Sequence, residues 1–353
     1  MKGIRQWVFV TTLVFCLAGK GWGQTYNGMH KYDGTHQNVV TGYMMLGDNI
    51  ICDTFYGLEA SYTRHLTDRW HVGADSHLTT DPGRMREMLQ IGIDDDDLFY
   101  AHLGDIADTK AEYYITLDEV ITDAKEKYGK KYYKPVTYID DYDRPHTIYM
   151  DTVAQKIYEV KDIPLPFHPV VGNHDITNNG WALWTCLFHS SFYMGYVFVG
   201  SDAQGVEYLD RLIFLDSASG TLGEEQIDEI ESHFFDVDIQ NSSRIKIRHT
   251  FIFGHTNIFR PSATEFASTF TREETYYLLN KFDQWNASIV FSGHVHAWDE
   301  RKVGNITYLT LDAMSEENNP GPGDYLVRVH VERDGSLSWK RIRMNYTPSL
   351  ISQ

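Results

Sequence analysis

The chain has 353 residues, 42% hydrophobic and 14% aromatic, enough apolar surface for one large core or two small ones, which excludes a disordered chain. Its formal net charge of -18 repels the phosphate backbone of nucleic acid and anionic lipid surfaces, so no broad nucleic-acid-binding face is expected. A small phosphorylated ligand stays compatible with that charge, because bound cations reverse the local field.

Residues 1–23 read as a signal peptide. Lys2 and Arg5 make a basic start, residues 7–18 are an apolar run too short for a comfortable membrane span, and Gly21-Trp22-Gly23 places small residues before a cleavage point at Gln24. The expectation is an exported protein, periplasmic or secreted, with no stable membrane insertion after cleavage. A retained anchor helix and lipidation at Cys16 are the alternatives. Cys52 and Cys186 then remain; export permits a disulfide, but sequence separation does not establish one. Residues 24–68, with strand-like stretches at 39–45 and 49–56, are expected to form an N-terminal strap or hairpin. Residues 69–346 carry the main domain, with an insertion at about 110–160.

From residue 69 a pattern recurs. Apolar runs at 70–74, 98–103, 167–171, 250–253 and 287–292 each end in Asp, Asn, Gly or His, and read as buried strands. Runs at 307–311, 325–331 and 337–342 add strands near the C-terminus. Between them, helices are expected at 84–91 after Asp81-Pro82, at 111–127, at 146–160, from the Thr221/Glu224 capping box to 234, and at 276–285 after the Thr271/Glu274 capping box. The stretch 128–145 reads as a polar loop. Asp94 to Asp97 lacks the spaced ligands of a calcium loop and reads as a solvated turn. Alternating strands and helices give an α/β fold, whose sites form at the C-terminal ends of strands.

Those strand ends carry a ligand set. Asp75 and His77 are two residues apart, so in an extended strand they share a face and reach one cation; His294 and His296 repeat the spacing. Asp105 has two oxygens able to bridge two cations, Asn173 offers a carbonyl oxygen and His255 an imidazole. An all-nitrogen-and-oxygen set with several imidazoles suits manganese, iron or zinc better than magnesium or calcium. Gly104, Gly172, Gly254 and Gly293 each precede a ligand and let the chain turn and crowd there. His102 is expected in the core. The aromatic group Trp181, Trp184, Phe188, Phe192 and Tyr193 is expected either to pack a core or lid or to wall a substrate pocket.

In order, the blocks are Asp75-Ser76-His77, Gly104-Asp105-Ile106-Ala107-Asp108, Gly172-Asn173-His174-Asp175, His255 and Gly293-His294-Val295-His296. Together they resemble the calcineurin-like metallophosphoesterase superfamily over roughly residues 70–343, most of the chain after the signal peptide. The resemblance implies a four-layer αββα sandwich, two central mixed β-sheets flanked by helices. It implies one metal on Asp75, His77, Asp105 and His296, and a second on Asp105, Asn173, His255 and His294. Hydroxide shared by the two would attack a phosphoric ester. His174 would stabilise the transition state or protonate the leaving oxygen, and Asp108 would orient His174 and keep it protonated. Asp175 would anchor its loop. Asn173, His174 and Asn257 are candidate substrate contacts.

Two departures matter. The protein Ser/Thr phosphatase branch carries arginines at the positions of Thr109 and Val171, where they grip phosphate. The purple acid phosphatase branch has Gly and Tyr where this chain has His77 and Asp108. The resemblance is therefore to the broad branch of bacterial phosphodiesterases and phosphatases, which also shares residues 213–217 and Gln226. The implied substrate is a small phosphate ester such as a nucleotide or sugar phosphate, as a diester or a monoester, and the oligomeric state stays open. The reading from another class is a non-catalytic exported protein of the same fold that binds a nucleotide or glycan.

Overall fold

The computed structural model describes residues 68–78, 82–107, 110–152, 155–177, 180–188, 191–231, 243–259, 270–314, 325–332 and 334–345. The signal peptide, the strap, Cys52 and Asp108 lie outside the described residues.

The first half runs β1 (Asp68–Gly73), α1 (Gly83–Asp94), β2 (Tyr100–His102), α2 (Ala111–Tyr132), β3 (Lys134–Ile139), β4 (Pro145–Asp151), β5 (Lys156–Tyr158) and β6 (Phe167–Pro169). Next come α3 (Asn173–Ile176), α4 (Gly180–Phe188), β7 (Tyr193–Ser201), β8 (Glu207–Phe214) and α5 (Glu224–Glu229). The chain continues through β9 (Ile245–Phe253), α6 (Arg272–Gln284), β10 (Ile289–Ser292), β11 (Asp299–Val303), β12 (Ile306–Thr310), β13 (Tyr325–Val331) and β14 (Leu337–Arg343).

One sheet has the order β14-β13-β1-β2-β6, with β1, β2 and β6 parallel. The other has the order β11-β12-β10-β9-β8-β7, with a parallel centre and antiparallel edges. The sheets meet face to face. Trp70 of β1 stacks on Phe99 with ring centroids 4.7 Å apart, and meets Phe251, Phe253 and Phe291 edge-on at 5.1, 5.6 and 5.4 Å. Alternation then sends Ile252 and Val290 to the opposite face, against Leu222, Phe270 and Phe282 below α6. On the first sheet, Met85, Met88 and Leu89 of α1 and Leu117 of α2 share a core with Tyr100 and Leu326. Helix, sheet, sheet, helix is the expected sandwich. Among the described residues no helix is long and apolar enough to cross a membrane.

The insertion departs from expectation. The helix expected at 146–160 is instead β4 and β5, and the loop expected at 128–145 holds the end of α2 and all of β3. These strands form a separate antiparallel sheet, β3-β4-β5, registered from Lys134↔Met150 to Ile139↔Pro145. Val136, Thr137, Tyr138, Ile139, Thr147, Ile148 and Tyr149 are β-branched or aromatic and favour that pairing. Asp140 closes the turn by accepting the Tyr142 and Arg144 backbone N–H groups, each at 2.9 Å. The pattern is hard to read because β3 is exposed on both faces, so no core imprints a period on it.

Other corrections are local. Asp97 is buried, not solvated: it accepts from Arg69 Nε at 2.6 Å and pairs with His71 Nδ1 at 2.7 Å. Those two groups lie on β1 where α1 covers it; there the guanidinium needs a counter-charge and the imidazole a hydrogen-bond partner. The Thr221/Glu224 capping box does not form; Gly223, at φ 72°, is the N-cap of α5. The hairpin β7–β8 and the edge strand β11 were not expected from the sequence.

Candidate metal centre

The site lies just past the C-terminal ends of β1, β2, β6, β9 and β10, where the loops continue the sheet's pairing for a few residues. Asp75 N–H donates to the Gly104 carbonyl at 3.1 Å, His77 N–H to Asp105 at 3.0 Å and Leu78 N–H to Ile106 at 2.7 Å. Gly293 N–H donates to the His255 carbonyl at 2.9 Å. Neither D-x-H nor H-x-H is extended, which corrects the shared-strand-face reading. Asp75, His77, Asp105, His294 and His296 all have positive φ, between 40° and 70°. Left-handed backbone at a non-glycine residue costs on the order of 1–3 kcal/mol, and it persists because the surrounding bonds over-determine it. The result turns each side chain inward from a loop instead of upward from a pleat.

Three of the glycines, Gly104, Gly172 and Gly293, are needed for close approach. A Cβ on Gly172 would collide with the Asp105 amide nitrogen and carboxylate, and one on Gly293 would sit 2.5 Å from an Asp75 oxygen. Gly104 has φ 90°, so it alone of the four supplies the left-handed turn predicted for them.

The ligand atoms converge in two groups, Asp75, His77, Asp105 and His296, and Asp105, His255 and His294; within each, donor atoms lie within 4.8 Å of one another. Asp105 belongs to both. In the first, His77 Nε2 is 3.3 Å from His296 Nε2 and 3.8 Å from Asp105 Oδ2, and His296 Nε2 is 3.5 Å from Asp75 Oδ1. In the second, His255 Nε2 is 2.9 Å from Asn173 Oδ1, 3.1 Å from His294 Nδ1 and 3.4 Å from Asp105 Oδ2. Several imidazole nitrogens and carboxylate oxygens aimed at common points suit bound metal ions, and Asp105 contributes to both groups. His174 is exposed, its ring 4.8 Å from that of His77 and nearly perpendicular to it.

The electrostatics match. Burial resists ionisation of Asp105, yet His255 and the neighbouring His77 and His174 hold its carboxyl well below the usual carboxylate range. Burial likewise resists a charge on His255, yet Asp105 and Asp75 push its pKa up to about 9. Each charge is tolerable only because the other is present.

A second layer fixes the ligands. His255 Nδ1 bonds the Leu103 carbonyl at 2.8 Å, which turns Nε2 toward the site. Ser217 Oγ accepts the His255 and Thr256 amides at 2.9 and 3.0 Å. Gln226 holds the segment leading to Ser217, accepting Asp216 N–H at 3.0 Å and donating to the Asp216 carbonyl at 2.9 Å. Asp75 accepts the His294 amide at 3.1 and 3.0 Å through its two oxygens. Asp175 accepts Gly172 N–H at 2.8 Å and the Ile106 and Ala107 amides at 3.1 Å, so it is a loop anchor.

Asn257 is buried, and both ends of its amide are engaged: Nδ2 donates to Thr310 Oγ1 at 2.5 Å and Oδ1 accepts Phe259 N–H at 2.6 Å. That geometry orders the loop after His255 and turns the amide toward Thr310. His102 is fully buried, and burial pushes its pKa down to about 3. Of the aromatic group, Trp184, Phe188, Phe192 and Tyr193 are buried in the two cores, and Trp181 packs half-buried against one of them. Val171, where the Ser/Thr phosphatase branch has arginine, is fully buried. Ser217 and Gln226 fall in the segment that resembles the family branch, whereas nothing in the sequence marks Tyr114 or the Leu103 carbonyl as partners of the site, because each acts through a contact made only in the fold.

An α/β sandwich whose facing sheets bring carboxylates and imidazoles to two convergent points is the architecture of a metal-dependent hydrolase. The profile of the calcineurin-like phosphoesterases matches residues 74–298, more than half of the chain. The chain belongs to that family and is a metallophosphoesterase. Curated proteins give no significant sequence match. Among solved structures the chain is similar to GAP50, the anchor in the inner membrane complex of Plasmodium, at 14% identity over 78% of this chain and 84% of that one, TM-score 0.47. It is also similar to a dimetal phosphatase from Danio rerio, at 11% identity over 75% and 92%, TM-score 0.39. A putative 5'-nucleotidase from Staphylococcus aureus shares 12% identity over 80% of this chain and 56% of its own, TM-score 0.36.

Proposed function

We propose that the chain hydrolyses a small phosphoric ester with two transition-metal ions, one held by Asp75, His77, Asp105 and His296, the other by Asp105, Asn173, His255 and His294. The observation that carries this reading is that Asp105 is common to both convergent donor groups. Bound cations would supply Lewis-acid polarisation of water and of the phosphoryl oxygens. The chain's own groups do the rest. Asp105 accepts the His174 amide through Oδ1 at 2.8 Å, which leaves Oδ2 facing His77 and His255. His174, exposed beside His77, is the group placed to give a proton to the departing oxygen. Val171 in the core removes one arginine that would grip a dianion, which favours singly charged diesters.

The test is turnover of mono- and bis-nitrophenyl phosphate after loading with manganese or zinc, alongside elemental analysis. About two ions per chain are expected, falling sharply in Asp105→Ala, with the diester turned over faster. A protein that holds its metal but hydrolyses neither ester would be the non-catalytic nucleotide- or glycan-binding protein instead.

A further inference from the structure

The loops carrying Asp105 and His174 exchange carboxylates. Asp105 Oδ1 accepts the His174 amide at 2.8 Å, while the Asp175 carboxylate reaches back to the Ile106 and Ala107 amides at 3.1 Å. Asn173, His174 and Asp175 lie in α3, a single helical turn. A turn that short has few internal hydrogen bonds, so its carbonyls need partners from outside. Tyr114 supplies one. It sits on α2, 4% exposed, and its hydroxyl donates to the Asp175 carbonyl at 3.1 Å. Burial pushes that hydroxyl's pKa up, so it remains a donor at any working pH. The backbone around His174 is thus fixed on both sides: its own amide by Asp105, and the carbonyl of the next residue by Tyr114. The His174 side chain lies exposed between these two pins, its ring edge-on to that of His77 at 4.8 Å.

We propose that Tyr114 is a positioning residue, whose hydroxyl on the Asp175 carbonyl sets where the His174 imidazole meets the leaving oxygen. This rests on the hydrolase reading with His174 as proton donor. A hydroxyl 61 residues upstream in sequence couples the long helix α2 to the reacting end of the site. Its loss leaves Asp75, His77, Asp105, His255, His294 and His296, six of the seven proposed ligands, in place and lets α3, with His174 on it, drift. A misplacement of about 1 Å can cost up to about a hundredfold in rate.

Donation of a proton matters most when the leaving oxygen is basic, and little when it is a nitrophenolate. Tyr114→Phe keeps the ring and removes only the donor. Manganese-loaded wild type and Tyr114→Phe would be compared on bis-nitrophenyl phosphate and on diphenyl phosphate, with melting temperature and metal content measured on the same samples. The expected result is a loss of about tenfold in kcat on the phenyl ester and less than about twofold on the nitrophenyl ester, with KM and metal content unchanged. His174→Ala should show the same split, larger, and adding Tyr114→Phe to it should cost nothing further. An equal loss on both esters, a drop in metal content, or an additive loss in the His174→Ala background would overturn the role of Tyr114. Failure of the wild type on both esters would instead overturn the hydrolase reading beneath it.

Discussion

His255 and His168 are both fully buried imidazoles, and their surroundings send them in opposite directions. His255 faces Asp105 and Asp75 and is held at a pKa of about 9, so in the cation-free protein it carries a proton that a cation must displace. Metal uptake should therefore release protons and weaken as pH falls, which titration calorimetry in buffers of different ionisation enthalpy would detect. His168 stands among Phe99, Tyr193 and Phe214, and burial pushes it down to about 3. Its folded pKa lies below the unfolded value, so the unfolded chain takes up the proton first. Stability from this group is complete above about pH 6.5 and declines toward about pH 3, by ~1.4 kcal/mol per pH unit. His168→Leu should remove that slope from denaturant midpoints measured between pH 7 and 5. An unchanged slope would mean that the imidazole is hydrated in the folded state.

At the scale of elements, two identical signatures behave differently. Thr271 caps α6 as its sequence predicts, accepting Glu274 N–H at 3.1 Å. Glu274 does not complete the box; its carboxylate crosses to Thr221 Oγ1 at 2.7 Å and Leu222 N–H at 3.0 Å. Thr221 in turn accepts Gly223 N–H, so the second signature became a clamp between α6 and the approach to α5. Thr271→Ala should cost about 1 kcal/mol. Glu274→Ala and Thr221→Ala should be non-additive in urea denaturation, because both delete the bond they share; strict additivity would show that the clamp does not form in solution. The strands β1, β2, β6, β9 and β10 of the central sheets were legible because they are buried and end in turn residues. The sheet β3-β4-β5 was not, because its strand β3 has no buried face to set a period.

At the scale of the molecule, one sheet and its loops deliver Asp75, His77, Asp105 and Asn173, and the other delivers His255, His294 and His296. Cations bound there would tie the two layers together. Ligands that bind only the folded state stabilise it by mass action, about 2.7 kcal/mol at a hundred times Kd. Manganese or zinc should raise the melting temperature and a chelator should lower it. A melting temperature indifferent to both would argue against a site shared between the sheets. The central core carries the rest of that cohesion through Trp70, which touches aromatic rings of both sheets.

The α/β class, the order of the five blocks and the chemical type of every proposed ligand were already determined by sequence. Strand, turn and ligand identity are local properties written in consecutive residues. Tertiary structure alone decided that D-x-H and H-x-H act from left-handed turns, that Asp97 is buried between Arg69 and His71, and that Asn257 points inward to Thr310. It also brought Tyr114 to the loop of His174. These outcomes depend on which distant backbone groups need a partner once the sheets close, and no window of the sequence contains both members of such a pair.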